Sequence, residues 1–99
     1  MTDAPKVVTI CGSMRFHRQM LQVARDKTIA GEIVLMPFVL PGDVTSAQKE
    51  RLDILHRRKI DMSSDVYVVS DSTGYFGEST QNEINYALKN WHEVIFIRM

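Results

Sequence analysis

Four short apolar runs, separated by longer segments of mixed polarity, organise the chain. The runs are Val7–Cys11, Ile33–Met36, Val66–Val69 and Val94–Ile97, and most of their residues are β-branched or aromatic. Apolar runs of this length, without strict alternation, are typical of strands buried on both faces of a parallel sheet. The pattern therefore predicts four strands, the first two of them buried.

The segments between these runs predict three helices. Apolar residues recur at roughly helical spacing within Phe16–Ala30, Ser46–Met62 and Thr80–Trp91. Gly31 follows the first segment as a helix C-cap, and Pro41-Gly42-Asp43 has the composition of a turn. Because strands alternate with helices in the order βαβαβαβ, we expect an α/β fold with a parallel sheet covered on both faces.

Length and charge narrow the functional classes. With 99 residues, we expect one domain over residues 1–99. Twelve Lys and Arg residues balance twelve Asp and Glu residues, which argues against a general binder of nucleic-acid polymers or membrane surfaces. No apolar run approaches the roughly 20 residues of a membrane span, and the polar segment Met1–Lys6 does not resemble a signal peptide.

The single cysteine, Cys11, excludes an internal disulfide and a thiolate-rich metal site. A lone cysteine within an apolar strand fits a reducing compartment, and we expect it to act as a small, inert hydrophobic residue. Neither His17 nor His92 has metal-ligand spacing. The sequence thus predicts a cytoplasmic protein without a metal or another cofactor.

Candidate chemistry concentrates in three loops. In open α/β sheets, ligands bind outside the carboxyl ends of the strands, where the strand order reverses. The loops at that end are predicted at Gly12–Phe16, Pro37–Ser46 and Ser70–Thr80. Asp71 lies at this end, whereas Asp65 begins its strand and belongs to the opposite end.

The turn Gly12-Ser13-Met14-Arg15 joins the first strand to the first helix. Free N–H groups at a helix start suit a phosphate, to which a serine hydroxyl and a guanidinium add donors. The common glycine-rich nucleotide motifs are absent. From the local sequence, a phosphate site and a plain strand–turn–helix connection both remain open.

Glu83 has two interpretations. Thr80-x-x-Glu83 has the pattern of a capping box, in which the glutamate holds the helix start. Alternatively, the carboxylate acts on a sugar carbon, and the helix N-terminus would favour the ionised form that a nucleophile needs. The aromatic residues Phe16, Tyr75 and Phe76, in or beside the loops, either stack on a base or close the edge of the core.

Three segments together resemble the nucleoside 2-deoxyribosyltransferase superfamily. They are Cys11–Arg15, Leu55–Asp61 and Gly74–Ala87, the last reading Gly-Tyr-Phe-Gly-Glu-Ser-Thr-x-x-Glu-Ile-x-Tyr-Ala. The resemblance runs over almost the whole chain and is strongest to the branch of nucleoside 5′-monophosphate N-glycosidases, which includes cytidylate hydrolases. It implies a flavodoxin- or Rossmann-like three-layer sandwich with four to five parallel strands.

The resemblance also implies roles for individual residues. The family's E-x-x-x-A motif falls on Glu83–Ala87, which makes Glu83 the nucleophile that forms a covalent glycosyl-enzyme. Asp61 is the nearest candidate for the family's second catalytic aspartate. Phosphate contacts carry over to Gly12, Ser13, Arg15 and Ser79, and Phe16 and Tyr75 would flank the base.

The implied function is hydrolysis of the base–sugar bond of a nucleoside 5′-monophosphate. The end of the sequence at the fourth strand favours phosphate recognition over recognition of a free 5′-hydroxyl, and the resemblance implies a homodimer or higher homo-oligomer. Alternatives are a deoxyribosyltransferase and a non-catalytic nucleotide-binding or sensor module. A phospho-receiver domain with Asp71 as acceptor is a further alternative, but Gly12-Ser13 stands where such domains need an acidic pair.

Overall fold

The computed structural model describes residues 4–38 and 42–99. Its elements alternate between strand and helix, and a short 3₁₀ turn, Met14–Phe16, leads into the first helix. In chain order they are β1 Val7–Gly12, α1 His17–Ile29, β2 Ile33–Leu35, α2 Ser46–Asp61, β3 Asp65–Ser70, α3 Glu78–Lys89 and β4 Glu93–Arg98. Of the predicted turn at Pro41-Gly42-Asp43, Pro41 lies outside the described residues.

The four strands form one parallel sheet in the order β2-β1-β3-β4. Thr9 of β1 stands opposite Leu35 of β2 on one side and Val66 of β3 on the other, and Val66 in turn pairs with Val94 of β4. The chain moves outward from β1 to β2 in one direction and from β3 to β4 in the other. The strand order therefore reverses between β1 and β3, and a crevice is expected at their carboxyl ends.

Two clusters of buried residues, one on each face of the sheet, join the sheet to the helices that cover it. On one face, Met20 and Val23 of α1 pack with Val8, Ile10 and Val69. Because side chains alternate along a strand, the neighbouring residues of β1 and β3 face the other layer. That second cluster consists of Cys11, Ile60, Val66, Val68, Ile84 and Ala87. The predicted three-layer α/β sandwich is confirmed.

Each helix is held on the sheet by the apolar side chains that it buries there, while its exposed side is mainly polar but carries some large apolar residues, such as Leu21, Leu55 and Leu88. Burial of one such aliphatic side chain contributes about 1.5–3 kcal/mol, so packing rather than intrinsic propensity holds the helices on the sheet. Within residues 4–38 and 42–99, no helix is both long enough and apolar enough to cross a membrane.

The start of α3 differs from the prediction. The helix begins at Glu78, and its N-cap is Gly77, which makes no side-chain cap bond. The carbonyl of Gly77 accepts a hydrogen bond from the Gln81 amide at 3.0 Å, so Thr80 already lies inside the first turn. The predicted Thr80–Glu83 capping box is therefore wrong, and Glu83 is free of any capping role.

A capping box does form at the start of α2. Thr45 Oγ1 accepts from the Gln48 amide at 3.1 Å, and Gln48 Oε1 accepts from the Thr45 amide at 2.9 Å. At the other end of α3, Trp91 has a φ of 66°. This left-handed position after a helix is one that glycine usually takes, and the Trp91 side chain is 95% exposed.

Candidate active site

Two adjoining cavities meet near the carboxyl ends of the strands, and the smaller one extends along α2 as far as Met62. Their volumes are about 310 Å³ and about 380 Å³. Pro37, Asp53 and Glu83 line both of them. The carboxylates of Asp53 and Glu83 therefore stand at the boundary between the two spaces.

Glu83 lies in the second turn of α3, and its side chain is only 14% exposed. Burial raises the pKa of its carboxyl group from the ordinary 4.5 to about 7, and the nearby charge of Asp53 adds to the rise. A hydrogen bond from Cys11 and the positive charges of Arg57 and Lys49 act in the opposite direction on this pKa. Near neutral pH, Glu83 is therefore present in both its ionised and its protonated form.

Two further buried groups stand beside this carboxyl. Cys11 Sγ lies 3.3 Å from His56 Nε2, and His56 Nε2 lies 3.8 Å from Glu83 Oε1. Burial and the charge of Lys59 lower the pKa of His56 to about 4, so the ring is neutral at physiological pH. Burial, followed by the charge of Glu83, raises the pKa of the Cys11 thiol well above its usual range.

This grouping was not predicted from the sequence. The alternation along β1 places Cys11 opposite to Ile10, toward the layer that α2 and α3 form. That signal was present in the sequence, but nothing local marks His56 as the residue of α2 that faces it. The expectation that Cys11 acts only as a small hydrophobic residue does not account for its contact with His56.

The larger cavity has groups suited to an anion. Gly12 and Ser13 reach it from the end of β1, and Gly77 and Ser79 reach it from the first turn of α3. That first turn has no side-chain cap, so its amide N–H groups are available to a ligand. At Gly12 a Cβ atom would lie 2.8 Å from the Val69 carbonyl oxygen, so only glycine allows β1 to run this close to β3.

Lys49 adds a positive charge to this cavity. Its Nζ lies 3.5 Å from Ser79 Oγ and 3.4 Å from Asp53 Oδ2. Lys49, Asp53 and His56 follow one another on one side of α2 at spacings of four and three, so their side chains project toward α3 together. Neither Lys49 nor Asp53 was predicted as a site residue, although this spacing was the signal that could have found them.

The remaining predicted site residues are placed differently. Gly12, Ser13 and Ser79 line the same cavity as Glu83, but Arg15, Phe16 and Tyr75 line neither cavity. The Arg15 guanidinium stacks over the Tyr75 ring at 4.7 Å, while the edge of Phe16 meets that ring at a centroid distance of 6.3 Å. Phe16 is buried, so it supports Tyr75 from below and presents no free face to a base.

Asp61 lines neither cavity, although its neighbours Arg58 and Met62 border the smaller one. It ends α2, close to where β3 begins, and so lies at the amino end of the sheet. Its Oδ1 accepts a hydrogen bond from the Tyr86 hydroxyl at 2.6 Å, and its Oδ2 accepts one from Arg58 at 3.0 Å. Two turns of α2, about 12 Å along the axis, separate it from Asp53. Asp53 is therefore the second carboxylate that the structure brings to Glu83.

No protein-family model and no curated protein matches the chain. Among solved structures, it is similar to a 2-desoxiribosyltransferase from Leishmania mexicana, with a TM-score of 0.66 and 15% sequence identity. The similarity covers 95% of this chain and 65% of that protein, so the chain spans about two thirds of its neighbour's length. The chain thus has a Rossmann-like α/β fold of the kind found in a deoxyribosyltransferase, as the resemblance of the sequence implied.

Proposed function

We propose that the protein is an N-glycosidase that cleaves the base–sugar bond of a nucleoside 5′-monophosphate, with Glu83 as its nucleophile. The observation that carries this proposal is the position of Glu83. It is released from helix capping and stands between a cavity with anion-binding groups and a cavity with apolar walls. A bond that joins a phosphorylated sugar to a planar base needs these two environments on either side of the attacking group.

We assign one part of the substrate to each cavity. Ser13, Ser79, Lys49 and the first turn of α3 would hold the phosphate in the larger one. The smaller cavity would hold the base, because its wall includes Pro37, Phe38, Leu52, Leu55 and Met62. The sugar carbon C1′ would then lie at the shared boundary, next to Glu83.

The reaction follows the pattern of retaining glycosidases. The ionised Glu83 carboxylate attacks C1′, a C–O ester bond forms, and the C–N bond breaks with its electron pair leaving on the base, which takes up a proton from solvent water. Water then attacks C1′, gives a proton to the solution or to Asp53, and releases Glu83 as a carboxylate. Asp53 suits this second step because it borders both cavities beside Glu83.

The direct test is to incubate the protein with a panel of ribo- and deoxyribonucleoside 5′-monophosphates and the matching free nucleosides. We expect chromatography to show the release of free base from a monophosphate. Glu83→Gln should abolish this release while the protein still binds the nucleotide. Release from Glu83→Gln at the wild-type rate would refute the mechanism, and tight binding without release would favour a nucleotide sensor.

Transfer of the sugar to a second base is the alternative reaction, and the structural similarity to the 2-desoxiribosyltransferase from Leishmania mexicana favours it. In that reaction an acceptor base replaces water in the second step. Adding a different free base to the assay distinguishes the two reactions. An exchanged nucleoside or nucleotide indicates a transferase, and free sugar phosphate in undiminished yield indicates a hydrolase.

The phosphate assignment makes a separate prediction. Lys49→Ala and Ser79→Ala should each raise KM for a monophosphate about 10-fold or more, the effect of losing a hydrogen bond to a charged group. The rates with free nucleosides should hardly change. Arg15→Ala is the comparison, since its guanidinium stacks on Tyr75 outside the cavity. An equal loss on nucleotides and nucleosides in the Lys49 and Ser79 variants would refute a phosphate role.

A further inference from the structure

Cys11, His56 and Glu83 form a compact cluster of three possible metal ligands. Within the described part of the chain, the thiol sulfur, a ring nitrogen and a carboxylate oxygen all lie within 4.8 Å of one another. The two separations known individually are 3.3 Å from Cys11 Sγ to His56 Nε2 and 3.8 Å from His56 Nε2 to Glu83 Oε1. The three residues come from three different elements, β1, α2 and α3.

These separations are close to those that a tetrahedral zinc ion imposes. Zinc binds cysteine sulfur at about 2.3 Å and imidazole nitrogen or carboxylate oxygen at about 2.0–2.1 Å. At tetrahedral angles, such bond lengths separate sulfur from nitrogen by about 3.6 Å and nitrogen from oxygen by about 3.3 Å. Two of the three separations therefore lie within about 0.5 Å of the tetrahedral values. The third, from Cys11 Sγ to the Glu83 oxygen, is at most 4.8 Å, so the side chains must move toward one another to close the cluster around an ion.

We propose that Cys11, His56 and Glu83 form a binding site for a single zinc-like divalent cation. Thiolate and imidazole ligands select cations of this type over Mg²⁺ and Ca²⁺, which prefer oxygen. One thiolate and one carboxylate neutralise the two charges of the ion, so the buried site is electrically balanced when it is filled. The proposal goes beyond the glycosidase function, in which no metal takes part, and does not depend on it.

An ion can reach the three ligands from the smaller cavity, and one coordination position stays free there. His56 and Glu83 both line the smaller cavity, whereas Cys11 lies beneath them and is fully buried. A cation that enters from this cavity meets the nitrogen and oxygen ligands first and the sulfur last. Three protein ligands leave the fourth tetrahedral position to a water molecule or a substrate atom on the cavity side.

The surroundings of His56 limit the strength of binding. Metal-bound histidines usually donate their other ring N–H to a carboxylate or carbonyl group, and loss of that partner weakens metal binding about 10- to 100-fold. His56 Nδ1 is buried and has no hydrogen-bond partner among the described residues. We therefore expect reversible occupancy that depends on the metal concentration, unlike a permanent structural zinc.

Occupancy would compete with the proposed chemistry at Glu83. A carboxylate bound to the cation shares its charge with the ion and is a weaker nucleophile toward C1′, and the ion would stand at the boundary of the two cavities. Zinc should therefore inhibit base release, and a metal chelator should restore it. This consequence is secondary, because the site itself is tested by binding.

The test is titration of the full chain with Zn²⁺ alone, in competition with a chromophoric chelator. We expect one ion per chain, and we expect Cys11→Ser, His56→Gln and Glu83→Gln each to weaken binding at least about 10-fold. His92→Gln is the matched control, because His92 lies at the opposite end of the sheet and contacts the Ser63 carbonyl. Absence of binding by the wild-type chain, or an equal loss in the control, would overturn the proposal.

A second measurement needs no variant to fold. Co²⁺ added to the wild-type chain should produce the near-ultraviolet charge-transfer absorption of a cobalt–thiolate bond, which only Cys11 can supply because the sequence has one cysteine. Co²⁺ binding without this absorption would place the ion elsewhere and overturn the site. Zn²⁺ added afterwards should remove the absorption by displacing the cobalt.

Discussion

Glu83 and Asp61 are two carboxylates on the same side of the sheet that the fold treats in opposite ways. Glu83 is buried at the carboxyl ends of the strands, and this burial raises its pKa to about 7. Asp61 lies near the surface at the amino ends, and hydrogen bonds from Tyr86 and Arg58 lower its pKa. The two are linked through α3, since Tyr86 follows Glu83 by one helical turn.

The comparison shows how hydrogen bonding separates a structural carboxylate from a reactive one. Both oxygens of Asp61 accept bonds from strong donors, so its charge is satisfied and its lone pairs are engaged. Glu83 has a thiol and a neutral imidazole beside it, and the positive charges of Arg57 and Lys49 lower its pKa less than burial raises it. A carboxylate with this little stabilisation keeps its electron pairs available to attack, at the cost of being harder to ionise.

The largest expected effect is on catalysis. Glu83→Gln should lower the rate of base release by at least about 10⁴-fold, a loss typical of removing a catalytic nucleophile or its partner. Asp61→Asn should change the rate less than about threefold, because Asp61 lines neither cavity. Steady-state kinetics on the two purified variants measures the contrast. Similar losses in both variants would show that Asp61 also takes part in the reaction.

The next effect is on stability and its dependence on pH. The folded state holds the Glu83 proton up to a pH of about 7, while the unfolded chain releases it near 4.5. Stability is therefore lost as the pH rises through this window, by up to about 3 kcal/mol. Glu83→Gln should remove the loss and be more stable than the wild type at pH 8 by about 1–3 kcal/mol. Urea denaturation of both proteins at pH 5 and pH 8 measures this difference in the free energy of unfolding.

His56 contributes to the pH dependence of stability with a sign opposite to that of Glu83. Its pKa falls from 6.5 to about 4 on folding, so stability is lost as the pH falls through that window. The two contributions oppose each other in the wild type between about pH 4.5 and 6.5. In Glu83→Gln only the histidine remains, and stability should rise with pH from 4 to 6.5. A flat profile in this variant would contradict the burial of a neutral His56.

The smallest expected effect lies at the Asp61 end. Tyr86→Phe removes one hydroxyl that donates to Asp61 at 2.6 Å, and the free energy of unfolding should fall by about 0.5–1.5 kcal/mol. Base release should stay at the wild-type rate. Thermal denaturation and the glycosidase assay together check both statements. A large loss of activity with little loss of stability would mean that this end of α3 positions Glu83.

The elements of the fold were predictable because each strand is a continuous apolar run and each helix has one apolar face. The α/β class and the location of the cavities at the carboxyl ends follow from that pattern and the strand order. The start of α3 was missed because the capping pattern at Thr80 and Glu83 competes with Gly77, and only the packed helix decides between them. Gly12, Ser13 and Ser79 line the cavity with Glu83, because they end or begin elements at the correct edge.

The contacts between elements could not be derived from the sequence. Cys11 and His56 are 45 positions apart, and their contact depends on how α2 is rotated on the sheet. The same rotation brings Asp53 and Lys49 to the cavities and leaves Asp61 outside them. A motif identifies a residue type in approximately the right segment, but the two helical turns between Asp53 and Asp61 separate a carboxylate at the cavities from a structural one.

The exposure of Trp91 makes the natural tryptophan fluorescence of this protein a poor probe of unfolding and of ligand binding. Trp91 is the only tryptophan of the sequence and is 95% exposed. Its indole emission is already that of a ring in water, so neither unfolding nor a filled cavity should shift it much. Phe38→Trp in a Trp91→Phe background would move the fluorophore to the wall of the smaller cavity. There, a base stacked on the indole would quench its fluorescence, so nucleotide binding could be measured by fluorescence titration.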